Sequence, residues 1–155
     1  MTVTQTHPTL DMREKVQVGL FTPAEIDLYW PQIEDMLNLV PHTWEGYSVA
    51  FFHESVKNGN VQVWGAGKEG SVFLVYFTNI MIYPAKKTLQ VGWAGGKIEN
   101  FLPAINASLE QFAKEQDCDE VEILGRAGWE KLMMPFGFRK RAVYISRPVD
   151  KGRLQ

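Results

Sequence analysis

The most restrictive pattern in the chain lies between residues 88 and 124. A strand-like run (88–93) leads through Gly95-Gly96 into a long helix, and Asp117-Cys118-Asp119 then turns into a second strand-like run (120–124). Residues 101–116 carry the helix, with Leu102, Ile105, Leu109, Phe112 and Ala113 on one stripe at the 3.6-residue period. Antiparallel neighbours can be joined by a tight turn, whereas parallel ones need a crossover, usually a helix. The two runs are therefore expected to pair in parallel, and the chain to be an α/β protein.

The preceding residues supply the rest of a layered fold. Residues 15–21 alternate, with Val16, Val18 and Leu20 on one face, which predicts a strand. Thr22-Pro23-Ala24-Glu25 reads as a helix start, with Thr as cap, Pro at the first helical position and Glu three after the cap. That helix carries Ile26, Tyr29, Trp30, Ile33, Met36, Leu37 and Val40, and Pro31 is expected to kink or restart it. Pro41 should end it. Thr43 is placed to cap a second helix carrying Trp44, Tyr47, Phe51 and Phe52, and Asn58-Gly59-Asn60 should stop that one. Residues 61–65 and 72–82 read as strands joined by a hairpin loop over 65–70. Neither a repeat nor an interdomain linker is evident. The expected organisation is an N-terminal arm (1–14), one domain (15–148) and a C-terminal tail (149–155).

Composition narrows the function classes. A formal net charge of −2 without a long basic block gives no sign of a nucleic-acid surface. The single cysteine, Cys118, rules out an intramolecular disulfide and suits a reducing compartment. No apolar run approaches the roughly 20 residues of a membrane helix, and the polar start lacks the core of a secretory signal. His7, His42 and His53 are scattered without metal-ligand spacing, so no metal site is expected. His53, beside Glu54, reads as solvated or as a polar contact of its helix, and Arg139-Lys140-Arg141 as a solvated cluster.

The last third is the most specific part. Leu124-Gly125-Arg126-Ala127-Gly128-Trp129-Glu130 runs on to Pro135-Phe136-Gly137-Phe138 and then to a strand-like tail over 140–147. Strand, turn, short helix, Gly-Phe exit and final strand, in that order, resemble the C-terminal part of the GNAT N-acetyltransferases. The Gly-Arg-x-Gly-Trp-Glu turn looks most like GNAT-like proteins encoded among phage and prophage virion genes. The resemblance implies a GNAT-like mixed sheet with a splayed parallel strand pair, and acetyl-CoA as the cofactor of an active member.

In that family a loop of the form Gln/Arg-x-x-Gly-x-Gly/Ala opens the long helix and presents backbone N–H groups to the CoA diphosphate. A helix N-terminus favours negative charge, and glycine allows close approach. Counting back from Cys118 sets this motif on residues 97–102. Lys97 keeps the basic position, but Asn100 and Leu102 occupy the small ones and Glu99 adds a carboxylate. Gly95, Gly96, Lys97, Asn100 and Leu102 are thus the cofactor-contacting positions if CoA binds, and binding is expected to be weak. The family's proton donor, a Tyr on the short helix, corresponds to Met133, which has no proton to give. Glu122, sharing a strand face with Glu120, is the remaining candidate base.

The expected function is accordingly a GNAT-fold protein of virion structure or assembly, cytoplasmic in its host or carried in the virion. It would act through protein contacts, with no cofactor, nucleic acid or membrane. The alternative is an acetyl-CoA-dependent N-acetyltransferase acting on an unidentified amine. Trp129 is expected to anchor the short helix by packing. The polar arm and the aromatic residues, five Trp and nine Phe, are the expected contact elements for a protein partner, possibly a phage structural protein.

Overall fold

A computed structural model describes residues 17–39 and 48–152. The arm, Val40, Pro41, Thr43, Trp44, Tyr47 and the last three residues of the tail lie outside the described residues.

Five strands form one mixed sheet in the order β1-β2-β3-β4-β5: β1 (Val18–Leu20), β2 (Gln62–Lys68), β3 (Ser71–Ile82), β4 (Lys87–Gly96) and β5 (Glu120–Ile123). The first four pair antiparallel, and β4 and β5 pair in parallel from Thr88↔Glu120 to Val91↔Ile123. The crossover between them is α3 (Leu102–Glu115), preceded by a 3-10 turn at Ile98–Phe101. The parallel pairing expected from the sequence is thus present.

Helices α1 (Pro23–Leu39) and α2 (Val49–Lys57) cover one face of the sheet and α3 the other. Phe21, Trp30, Ile33, Leu37, Phe52, Val63, Val75 and Phe77 build the core under α1 and α2. Trp64, Leu74, Tyr76, Leu89 and Val91 pack with Ile105, Leu109 and Phe112 on the α3 side. Trp64, fully buried, donates its indole N–H to Thr78 Oγ1 (2.9 Å), whose hydroxyl donates to Gln62 Oε1 (2.9 Å). Burial without such partners would leave polar atoms uncompensated.

Local signals account for most element ends. Thr22 and Glu25 form a reciprocal cap: the Glu25 N–H donates to Thr22 Oγ1 (3.2 Å) and the Thr22 N–H to Glu25 Oε1 (2.8 Å). Helix α1 continues through Pro31 without restarting. Ser48 caps α2, accepting from the Phe51 N–H at 3.1 Å, and Gly59 follows the helix at φ 77°.

Three expectations need correction. The β2–β3 connection is not a six-residue loop: both strands continue until only Glu69 and Gly70 remain between them, each at positive φ (52° and 82°). A two-residue turn of that hand matches the strand twist, so the ladder extends to it. Secondly, His53 is half-buried and makes an aromatic contact that its polar reading left out. It stacks on Trp30 at 4.0 Å between ring centroids and 11° between planes. Thirdly, residues 140–147 form no strand; residues 138–152 run without helix or ladder, and 139–152 are exposed throughout. Alternation gives a segment the propensity to pair but no neighbour to pair with, and strand structure exists only in the ladder.

Candidate functional site

The parallel pair does not stay together. After Val91↔Ile123, one further hydrogen bond joins them, from the Leu124 N–H to the Val91 carbonyl (3.1 Å); β5 ends and β4 runs on to Gly96. The parting coincides with a bulge. Opposite β3, Phe77 pairs with Trp93 but Thr78 with Val91, so Gly92 is an extra residue. From Gly92 to Gly96, β4 has β3 on one side and, among the described residues, no strand on the other. A gap therefore opens at the carboxyl ends of two parallel strands, where open α/β sheets bind ligands.

The sequence-derived residues distribute around this gap as follows. Gly95 and Gly96 end β4, Lys97 follows at once, Asn100 sits in the 3-10 turn, and Leu102 is the first residue of α3. Lys97 thus lies outside the strand and Leu102 at the helix start, as the register count required. Gly96 has a structural reason for being glycine. Its φ is 88°, and a Cβ there would lie 2.3 Å from the Phe73 carbonyl oxygen and 2.8 Å from Leu74 Cα. The Lys97 N–H donates to that same Phe73 oxygen (2.9 Å), and its ammonium lies 5.7 Å from the centre of the Phe73 ring.

Glu122 lies one residue before the last paired position of β5, half-buried and opposite Gln90 in register. It accepts a hydrogen bond from the Tyr83 hydroxyl (2.9 Å) and a longer one from Gln90 Nε2 (3.5 Å). The Tyr83 phenol is pushed above its ordinary pKa, first by that bond and then by desolvation and carboxylate charge. Glu120, on the same face, pairs with Lys86. Tyr83 gives no strand, helix or motif signal, so its partnership with Glu122 was not visible in sequence.

Met133, at the position where the family resemblance expects a proton donor, ends α4 (Gly128–Met133) and is 1% exposed. Trp129 of α4 is half-buried, packs against the α3-side core and lies across Gly125, where a Cβ would come within 2.5 Å of its Cδ1. Gly128 has open space instead.

Whether these residues suit acetyl-CoA depends on which part of it is considered. The open edge of β4 offers backbone donors and acceptors to an extended, amide-bearing pantetheine arm. The start of α3 suits a diphosphate poorly. Ile98 is packed into the core, the Asn100 N–H already donates to the Lys97 carbonyl (3.4 Å), Pro103 has no N–H, and Glu99 is exposed with its carboxylate.

Among the described residues no helix is long and apolar enough to cross a membrane, and no group of His, Cys, Asp and Glu could hold a metal ion.

No protein-family model and no curated protein matches the sequence. Solved structures do. A GNAT family acetyltransferase from Staphylococcus aureus superposes with a TM-score of 0.63 at 10% identity, covering 88% of this chain and 100% of its own. A glucosamine-6-phosphate N-acetyltransferase from Arabidopsis thaliana gives 0.65 at 12% identity, with 88% and 100% covered. An aminoglycoside acetyltransferase from an uncultured soil metagenomic sample gives 0.66 at 10% identity, again with 88% and 100% covered. With its mixed sheet, splayed parallel pair and crossover helix, this chain has the fold of the GNAT acetyltransferases.

Proposed function

We propose that the chain is an N-acetyltransferase that takes the thioester arm of an acyl donor into the gap between β4 and β5 and acetylates an amine. The observation that carries this reading is the parting of the two strands at Gly92, which leaves the β4 edge, among the described residues, without a strand beside it at the carboxyl ends of the parallel pair. Acetyl-CoA, when bound, supplies a thioester-activated acetyl group. The backbone of residues 92–96 would hold the arm, and Glu122, held in place by Tyr83, would take the proton of the amine as its nitrogen bonds to the acetyl carbon and the thioester C–S bond breaks, the thiolate leaving with a proton from solvent. The filled start of α3 contributes little to the nucleotide end, and a buried Met133 contributes no proton, so turnover is slow.

Calorimetric titration with acetyl-CoA and with acetyl-pantetheine tests this. Both are expected to bind, with affinities within about tenfold of each other, or roughly 1.4 kcal/mol. Failure of both to bind at about 1 mM, equivalent to roughly 4.1 kcal/mol, overturns the reading.

A second reading is favoured by the same α3 start and by Met133: a GNAT-fold protein without catalysis, acting through protein contacts, as in virion assembly. It predicts no binding of either compound and retention of a partner by the intact chain.

A further inference from the structure

On the α1/α2 face of the sheet, three polar side chains cross three strands in one row. Leu89 and Val91 pack on the α3 side, so Gln90 between them faces the other way. In register it lies opposite Asn79 of β3 on one side and Glu122 of β5 on the other. All three are half-buried. Neighbouring strands are about 4.8 Å apart, so two amides and a carboxylate lie within reach of one small molecule. Glu122 accepts from Tyr83 and Gln90, whereas Asn79 donates an amide N–H to the Met81 sulfur (3.1 Å) and keeps its oxygen as an acceptor. One place along the same face Thr88 is buried, with a hydroxyl that finds no hydrogen-bond partner among the described residues. Buried polar atoms are normally paired, so this face holds more hydrogen-bonding capacity than the fold consumes.

The row lies at the start of the gap. Gly92, the bulge residue, follows Val91, and a Cβ added there would meet nothing nearer than Asn79 Oδ1, at 4.0 Å. The surface beside Asn79 is therefore open. Beyond it Trp93 turns to the same side, half-buried, with Phe52 edge-on at 4.5 Å between ring centroids. An open floor bordered by a few polar groups and an aromatic ring has the composition of a small-molecule site.

We propose, resting on the acetyltransferase reading, that the acceptor is an amino sugar with its amino group at Glu122, its hydroxyl groups on Gln90 and Asn79, and the apolar face of its ring toward Trp93. Each amide both donates and accepts, as a hydroxyl does. A sugar offers hydroxyl groups on neighbouring carbons, which suits amides on neighbouring strands. A peptide chain spaces its polar groups farther apart, and a polyamine carries donors alone and leaves the amide N–H groups unanswered. The sugar nitrogen bonds to the acetyl carbon as the C–S bond breaks. Its proton passes to Glu122, the thiolate takes one from solvent, and the products are an N-acetylated sugar and a free thiol.

Acetyl transfer from acetyl-pantetheine, read as kcat/KM, tests the assignment with glucosamine, galactosamine, cyclohexylamine and a short peptide bearing a free N-terminus. Cyclohexylamine has a six-membered ring and no hydroxyl group. One of the two sugars is expected to be preferred to cyclohexylamine and to the peptide by at least about a hundredfold, since a site built to bond hydroxyl groups rejects an analogue without them. Asn79→Leu and Gln90→Met, which roughly keep side-chain size, are each expected to narrow that preference at least about tenfold, through a higher KM for the sugar. Acetyl-pantetheine binding on the same samples reports that each variant is folded. With donor bound, equal use of cyclohexylamine or the peptide, no transfer to either sugar, or a preference that survives both substitutions overturns the amino-sugar assignment alone. Failure of the wild type to bind either acetyl-pantetheine or acetyl-CoA overturns the acetyltransferase reading with it.

Discussion

Tyr83, just beyond β3, donates its hydroxyl hydrogen to Glu122 of β5 across 2.9 Å, tying the β3–β4 connection to the strand on the far side of β4. The phenol's pKa is raised, so the neutral form is the one the fold prefers. A raised folded-state value stabilises fully below the unfolded value of about 10 and is lost as pH rises through the folded-state value. The difference in tyrosinate absorbance between wild type and Tyr83→Phe is therefore expected to have its midpoint above about 10. A midpoint at or below that value would show that the bond does not persist in solution.

Gly96→Ala is expected to destabilise by about 1–3 kcal/mol, the cost of holding a side chain in a sparsely populated backbone region. The residue sits at φ 88°, and the atoms a Cβ would meet are backbone atoms of β3, which have little room to yield. Chemical denaturation measures this directly. A near-neutral result would show that the end of β4 can relax.

Trp129→Ala should cost about 3 kcal/mol, at the lower end for a large aromatic, because the indole is half-buried. Its neighbour gives an independent check. Gly125→Ala forces a methyl group against the indole at 2.5 Å, so it should destabilise too, and less once Trp129 is already Ala. Additive costs in the double variant would separate the two residues.

Asn100→Gly with Leu102→Gly should tighten acetyl-CoA while leaving acetyl-pantetheine unchanged, since only the former reaches the start of α3 under the proposed binding mode. Each glycine costs the helix start up to about 1 kcal/mol, and Leu102 also gives up packing against the α3-side core, so affinity is to be measured well below the unfolding transition. Equal gains for both compounds would place the obstruction elsewhere.

Much of this architecture was legible from local chemistry. Thr22 and Glu25 announced α1, the Ile105, Leu109 and Phe112 stripe announced α3, and the helix between two strand-like runs required a parallel pair. The features that were missed depend on a second segment. Nothing in Val91-Gly92-Trp93 marks Gly92 as extra until Phe77 and Thr78 are set opposite. Likewise Ala142 to Ser146 has the local properties of a strand but joins no ladder. At the site, Lys97, Asn100 and Leu102 were placed by counting, which works because α3 is an unbroken helix. Tyr83 was not, because its importance comes from the side chain it meets across the sheet.

The bulge at Gly92 also sets what this part of the chain can tolerate over generations. Leu89 and Val91 serve the core under α3, and the extra residue turns Trp93 to the opposite core. The position does not itself demand glycine: the nearest atom to an added Cβ is Asn79 Oδ1, at 4.0 Å. Another residue therefore fits at position 92, whereas deleting it would turn the side chains of β4 from Trp93 onward to the opposite face. The spacing is the inherited character here, more than the letter.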